Sequence, residues 1–189
     1  MKINNNDINK IVFIDKDSII KPNTLEFYFG VPGAIKKLNK NNIKVVMISN
    51  EHHIEDDESL DDKYNEEINK IKTMLRVFGA RLHSVYYSCF DGSLDSIPNP
   101  GMVNMEMNNY KNYSYIKYMI SNNLPGIEVG RNSNSYSILL HYGNKKVLNE
   151  INTISRTPTI NLDNIYSAVN YIIHNPEINS NILHHYITK

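Results

Sequence analysis

Two hydrophobic rhythms alternate along the chain. Lys10-Ile11-Val12-Phe13-Ile14 is β-branched and almost wholly apolar, the pattern of a strand buried on both faces of a parallel sheet. It runs into Asp15-Lys16-Asp17-Ser18. Residues 32–38 follow with Ala34, Ile35 and Leu38 at helical spacing, a proline at the entry and asparagines at the exit. A second apolar run, Ile43 to Ile48, ends in Ser49-Asn50. Strand, helix, strand in about 40 residues predicts a right-handed βαβ unit.

The later segments continue the alternation. Ile68, Ile71, Leu75 and Phe78 keep a helical register that Gly79 stops, behind an acidic stretch over 51–67. Val85 to Cys89 reads as a third strand. The pattern then predicts a tyrosine-rich helix over 103–121, a short fourth strand at Ile127–Gly130, and a short helix from Ser135 to His141 closed by Gly143. Leu162, Ile165, Tyr166, Val169, Ile172 and Ile173 predict an amphipathic C-terminal helix. Such alternation implies an α/β fold, three-layered and doubly wound around a mainly parallel sheet, with ligands beyond the carboxyl ends of the strands. Asp15, Ser49, the loop of the nineties and Arg131 are expected to converge there.

Composition adds limits. With 20 basic and 20 acidic residues the chain has no net charge to attract nucleic acid, so that partner is not expected. No apolar run approaches a membrane span, and the first residues lack the apolar region of a secretory signal, so a soluble cytoplasmic protein is expected. One cysteine, Cys89, excludes an internal disulfide and a Cys-rich zinc site. The 29 asparagines reflect an AT-rich coding genome more than any demand of folding. The paired His52-His53 and His184-His185 read as solvated rather than metal-binding. Without repeats or linkers, residues 1–189 are expected to form one domain, its core over about 9–173 and a C-terminal tail over 174–189.

Phe13-Ile14-Asp15-Lys16-Asp17, Ile48-Ser49-Asn50 and Pro98-Asn99-Pro100-Gly101-Met102, in that order and spacing, resemble the haloacid dehalogenase superfamily. The nearest likeness is to its branch without a large cap domain, the histidinol-phosphatases and heptose-bisphosphate phosphatases. The resemblance implies that Asp15 is a nucleophile that becomes an aspartyl-phosphate and that Asp17 is general acid and base. It implies that Ser49, with Asn50 and Lys16 beside it, binds the phosphoryl group. Magnesium would be held by Asp15, by the backbone carbonyl of Asp17 and by aspartates of a fourth region.

The chain departs from that pattern where cations are managed. The lysine of the family's Arg-Lys-Pro-x-Pro-Gly-Met is Ile97 here. The family's Val-Gly-Asp-x-x-x-Asp is read onto Val129-Gly130-Arg131-Asn132-Ser133-Asn134-Ser135, so its aspartates become Arg131 and Ser135. A guanidinium at Arg131 is expected to pair with Asp15 in place of the ion.

Two readings follow. In the first, the chain is a degenerate phosphatase-fold protein, a pseudoenzyme with little or no hydrolase activity. It would act in binding or assembly with a protein partner or a second copy, and no cofactor is expected. In the alternative it is an active phosphatase that uses Mg2+ and an aspartyl-phosphate at Asp15. Its substrate would then be a small phosphorylated metabolite or a nucleic-acid 3′-phosphate.

Overall fold

The computed structural model describes residues 9–51 and 59–174. Six strands form one sheet in the order β3-β2-β1-β4-β5-β6, with every neighbouring pair parallel. They are β1 (Asn9–Asp15), β2 (Lys44–Asn50), β3 (Ser84–Ser88), β4 (Tyr115–Ser121), β5 (Tyr136–Leu140) and β6 (Ile160–Leu162). The helices are α1 (Val31–Lys40), α2 (Ser59–Val77), α3 (Gly101–Met107), α4 (Leu124–Asn132), α5 (Lys146–Asn149) and α6 (Ile165–His174). Among the described residues no large cap domain is inserted. No helix there is long and apolar enough to cross a membrane.

The centre of the sheet is β1, whose Ile11 to Ile14 are wholly buried because helices cover both faces. One face packs Val12 and Ile14 with α1, α2 and α6 through Ala34, Leu38, Ile71, Leu75 and Val169. The other packs Ile11 and Phe13 with Met102 and Val103 of α3 and Val129 of α4. Period-two alternation thus feeds two cores from one strand.

The first half follows the pattern read from sequence; the second half corrects it. The helix expected over 103–121 stops at Met107, a single 3-10 turn follows, and Tyr115–Ser121 is strand β4, paired along its length with β1. Alternating tyrosine and β-branched residues suit a pleated surface better than a helix, and pairing with β1 decides the matter. The strand expected at Ile127–Gly130 is inside α4, which Asn123 caps and Pro125 opens. The helix expected from Ser135 to His141 is β5, and Gly143 follows it with a φ of 82°. Leu162 closes β6, which leaves α6 to start at Ile165. The two histidine pairs, the acids at 55–58 and most of the expected tail lie outside the described residues.

Leu38 has no exposed surface and sits where α1 meets the sheet. Leu38→Ala should cost about 2–5 kcal/mol. A urea titration should show a lower midpoint with an unchanged slope.

Candidate functional site

The carboxyl ends of β1, β2 and β4 converge, as a parallel sheet requires. Asp15 is the last residue of β1 and only 4% exposed. Its Oδ1 accepts the backbone N–H of Asp17 at 3.3 Å. Its Oδ2 accepts two side-chain donors, Ser121 Oγ at 3.1 Å and Asn123 Nδ2 at 2.8 Å. Burial, with the charge of Asp17 nearby, pushes the Asp15 carboxyl from 3.8 up to about 6, against the opposing pull of these three hydrogen bonds. Asp17 itself is exposed.

The loop after β4 supplies the rest of the frame. Asn122 Nδ2 donates to the Asp17 carbonyl at 2.7 Å, and Asn122 N–H donates to Ser18 Oγ at 2.8 Å. Asn123 turns its side-chain oxygen to the Gly126 N–H at 2.9 Å, capping α4, while its amide nitrogen reaches Asp15. One side chain therefore starts a helix and contacts the central carboxylate.

The other expected site residues are brought close but are engaged internally. Lys16 Nζ pairs with Glu51 at 2.5 Å, lies 3.5 Å from Glu67, and sits over the Tyr64 ring. Ser49, 2% exposed, shares a 2.6 Å hydrogen bond with Tyr64 OH. Burial, then the charge of Glu51, push the Tyr64 phenol well above its ordinary range. Asn50 makes a two-point pair with Ile97, accepting its N–H at 2.8 Å and donating to its carbonyl at 3.0 Å. Ile97 therefore stands at the site's edge with an apolar side chain. A cleft of about 790 Å³ opens beside Asp17 and Lys16, lined by both charge signs, including Lys63, Lys70, Glu66 and Glu67.

Arg131 and Ser135 do not join this group. Arg131 is in the last turn of α4, about 12 Å of helix beyond the cap at Asn123. Its Nε is buried without a hydrogen-bond partner. No ion pair links it to Asp15 among the described residues. Ser135 precedes β5 at the opposite edge of the sheet, bonded to Gly130 and Ser133.

The string that ends β4 and opens α4 is Ile120-Ser121-Asn122-Asn123-Leu124-Pro125-Gly126. Laid on Val-Gly-Asp-x-x-x-Asp, it puts Ser121 at the glycine and Asn122 and Gly126 at the aspartates. Sequence reading missed these residues, although Asn123 two positions before Pro125 is a helix-start signal. The exchange at 121 and 126 is sterically coupled. A Cβ on Gly126 would stand 2.2 Å from Ser121 Oγ and 2.5 Å from its Cβ, so the serine fills the space that the glycine leaves.

Magnesium prefers an octahedron of oxygen ligands. Here one carboxylate oxygen of Asp15, Oδ2, and the Asp17 carbonyl each face a side-chain amide N–H, which cannot coordinate a cation; the resemblance implies ligands from these two residues. No group of three or more Asp, Glu, His or Cys side chains suited to a metal occurs among the described residues. The residues present do not fit the ion.

Comparison with known proteins bears on the fold. Residues 4–169 match the sequence profile described as polynucleotide kinase 3 phosphatase. The structure is similar to D,D-heptose 1,7-bisphosphate phosphatase from B. bronchiseptica, determined with magnesium and phosphate. The TM-score is 0.75 at 16% identity, over 88% of this chain and 99% of that one. The enzyme of the same name from Burkholderia thailandensis gives 0.62 at 16% identity, covering 88% and 99%. A putative HAD-like phosphatase from Mesorhizobium loti gives 0.68 at 13% identity, covering 92% and 90%. No curated protein sequence matches the chain.

Two predictions follow from this geometry. Because the folded-state pKa of Asp15 is raised, its contribution to stability is largest when the carboxyl is protonated. That contribution declines as pH rises from about 4 to about 6. Asp15→Asn should therefore flatten that decline in melts taken from pH 4 to 8. Separately, Gly126→Ala should destabilise by about 1–3 kcal/mol through overpacking. Ser121→Gly in the same chain should recover part of the loss, so the double-mutant cycle should not be additive.

Proposed function

The chain belongs to the polynucleotide kinase 3 phosphatase family of the haloacid dehalogenase superfamily, and from that premise we propose that it is a catalytically silent member. In this reading it keeps the phosphatase fold and acts in binding or assembly. The observation that carries the reading is the pair of asparagine amides. Asn123 and Asn122 donate to Asp15 Oδ2 and to the Asp17 carbonyl, on the two residues from which the resemblance draws ligands for the ion.

Phosphoryl transfer to a carboxylate brings two anions together, and positioned positive charge is what makes that approach possible. The neighbouring groups supply little. Lys16 is paired with Glu51 and Glu67, and position 97 is apolar. The hydroxyl of Ser49 and the amide of Asn50 are already bonded within the protein. A phosphate would have to break these contacts, and the lysines lining the cleft beside Asp17, Lys63 and Lys70, stand there among Glu66 and Glu67.

The second reading keeps Asp15 as a nucleophile and Asp17 as its acid and base. Its support is that Asp17 stays exposed at the mouth of the 790 Å³ cleft. The substrate would be a phosphorylated metabolite or a nucleic-acid 3′-phosphate, with Mg2+ as the cofactor.

A phosphatase assay with magnesium, on phosphorylated metabolites and a 3′-phosphorylated oligonucleotide, separates the two. Turnover should stay at background, and several millimolar magnesium should leave the melting temperature unchanged. Magnesium-dependent turnover that Asp15→Asn abolishes would establish the second reading instead. The variant Ile97→Lys/Ser121→Gly/Asn122→Asp/Gly126→Asp restores the charges. It should acquire a magnesium-dependent shift, about 2.7 kcal/mol at 100 times the dissociation constant.

A further inference from the structure

The amino ends of β2 and β3 and the carboxyl ends of α1 and α2 meet at the sheet edge opposite Asp15. With β2 seven residues long, that edge is about 20 Å away. Two adjoining shallow clefts lie there, of about 450 and 210 Å³, sharing Asn39 and Arg81. Lys36, Lys40, Lys44, Arg76, Arg81 and His83 line them, and no carboxylate does.

The local structure holds this arrangement in place. Asn39 Oδ1 accepts the Arg81 N–H at 2.8 Å, which ties the end of α1 to the approach to β3. The side chain of Lys36 lies across Gly79, which turns the chain out of α2 with a φ of 72°. Lys44 Nζ donates to the phenol of Tyr110, an uncharged partner. Lys36, Lys40, Arg76 and Arg81 form no ion pair among the described residues. The carboxylate that reaches this group, Glu106, is buried behind His83 and accepts from Tyr86 and Tyr110. Burial and the charges of Lys44 and Arg81 hold the His83 ring below its ordinary pKa, although Glu106 opposes them.

Cations in the last turn of a helix offset its dipole, which accounts for Lys40 and Arg76. That explanation does not reach Lys44 and Arg81, which lie outside any helix. Helix α2 carries Asp61 and Asp62 in its first turn and Arg76 in its last, and its 19 residues span about 28 Å.

We propose that this basic double cleft is a docking site for the sugar–phosphate backbone of a nucleic acid, distinct from the Asp15 site. Several cations spread over adjoining clefts suit successive phosphates better than one compact anion. The lining has asparagines to bond phosphate oxygens and no Phe, Tyr or Trp on which bases could stack, so the contact is independent of sequence. It requires no phosphatase activity.

The test is fluorescence anisotropy of a labelled 20-base-pair DNA with the full chain. Four phosphate contacts should weaken binding roughly 150-fold between 50 and 200 mM salt. Lys40→Gln/Arg81→Gln, both at exposed positions, should lower affinity roughly tenfold at 50 mM salt and reduce the salt slope by about two. Lys145→Gln/Lys146→Gln removes the same charge from exposed positions on another part of the surface and should change neither. Equal losses in the two variants, or no binding at 50 mM salt, would overturn the proposal. So would polyglutamate of matched charge competing as well as unlabelled DNA, since that would make the partner an acidic protein.

Discussion

A carboxylate buried at the centre of a sheet must be compensated, and how Asp15 is compensated governs the surrounding structure. Removing an ionised group from water is costly unless charge or hydrogen bonds replace the water. The replacements here are the hydroxyl of Ser121, the amide of Asn123 and the backbone N–H of Asp17. All are uncharged, so the compensation is partial and the carboxyl remains raised. The same contacts tie the loop after β1 to the loop after β4. Tyr142, after β5, brings in the next loop, donating to the Ser18 carbonyl at 2.6 Å while stacking on Tyr28. Hydrogen bonds thus do the joining that a shared cation would otherwise do between these loops.

Around Asp15 the polar groups form closed sets: Lys16 with Glu51 and Glu67, Ser49 with Tyr64, Asn50 with Ile97. Fully satisfied polar networks specify one arrangement, because any displacement exposes an unpaired group in a low-dielectric setting. Catalytic sites gain by the opposite design, with donors aimed at the place where charge will develop. The coupled exchange of Ser121 and Gly126 extends the contrast to packing. Restoring one aspartate at 126 alone would drive its Cβ into Ser121, so a return to acidic chemistry requires at least two compatible changes.

The sequence carried the first half of the fold clearly, since β1, α1, β2, α2 and β3 have unambiguous hydrophobic periods. Residues after Gly101 were legible only as alternation. Tyr115 to Ser121 was read as a helix because its tyrosines recur at spacings compatible with either element, and only pairing with β1 distinguishes them. That error displaced the fourth region onto Arg131 and Ser135, which belong to the end of α4 and the foot of β5. The convergence of Asp15, Ser49 and Asn50 was legible because each follows a clear strand. The bonds that occupy Ser49 and Asn50 were not, since Tyr64 and Ile97 are 15 and 47 residues distant.

The parallel topology also explains why charge separates along the molecule. All strands point one way, so helix amino ends gather near the Asp15 edge and helix carboxyl ends near the other. Basic last turns, as in α1 with Lys37 and Lys40 and in α2 with Arg76, therefore gather at that far edge, while α2, alone among the described helices, adds an acidic first turn at the other. A whole-chain charge of zero conceals this because it discards position. At the Asp15 edge Lys16 is paired and Ser49 bonded, while the far edge keeps Lys36, Lys40, Arg76 and Arg81 without ion pairs among the described residues. Clefts lined by cations with no carboxylate among them thus lie at the edge remote from Asp15, whereas the cleft beside Asp17 sets Lys63 and Lys70 among Glu66 and Glu67.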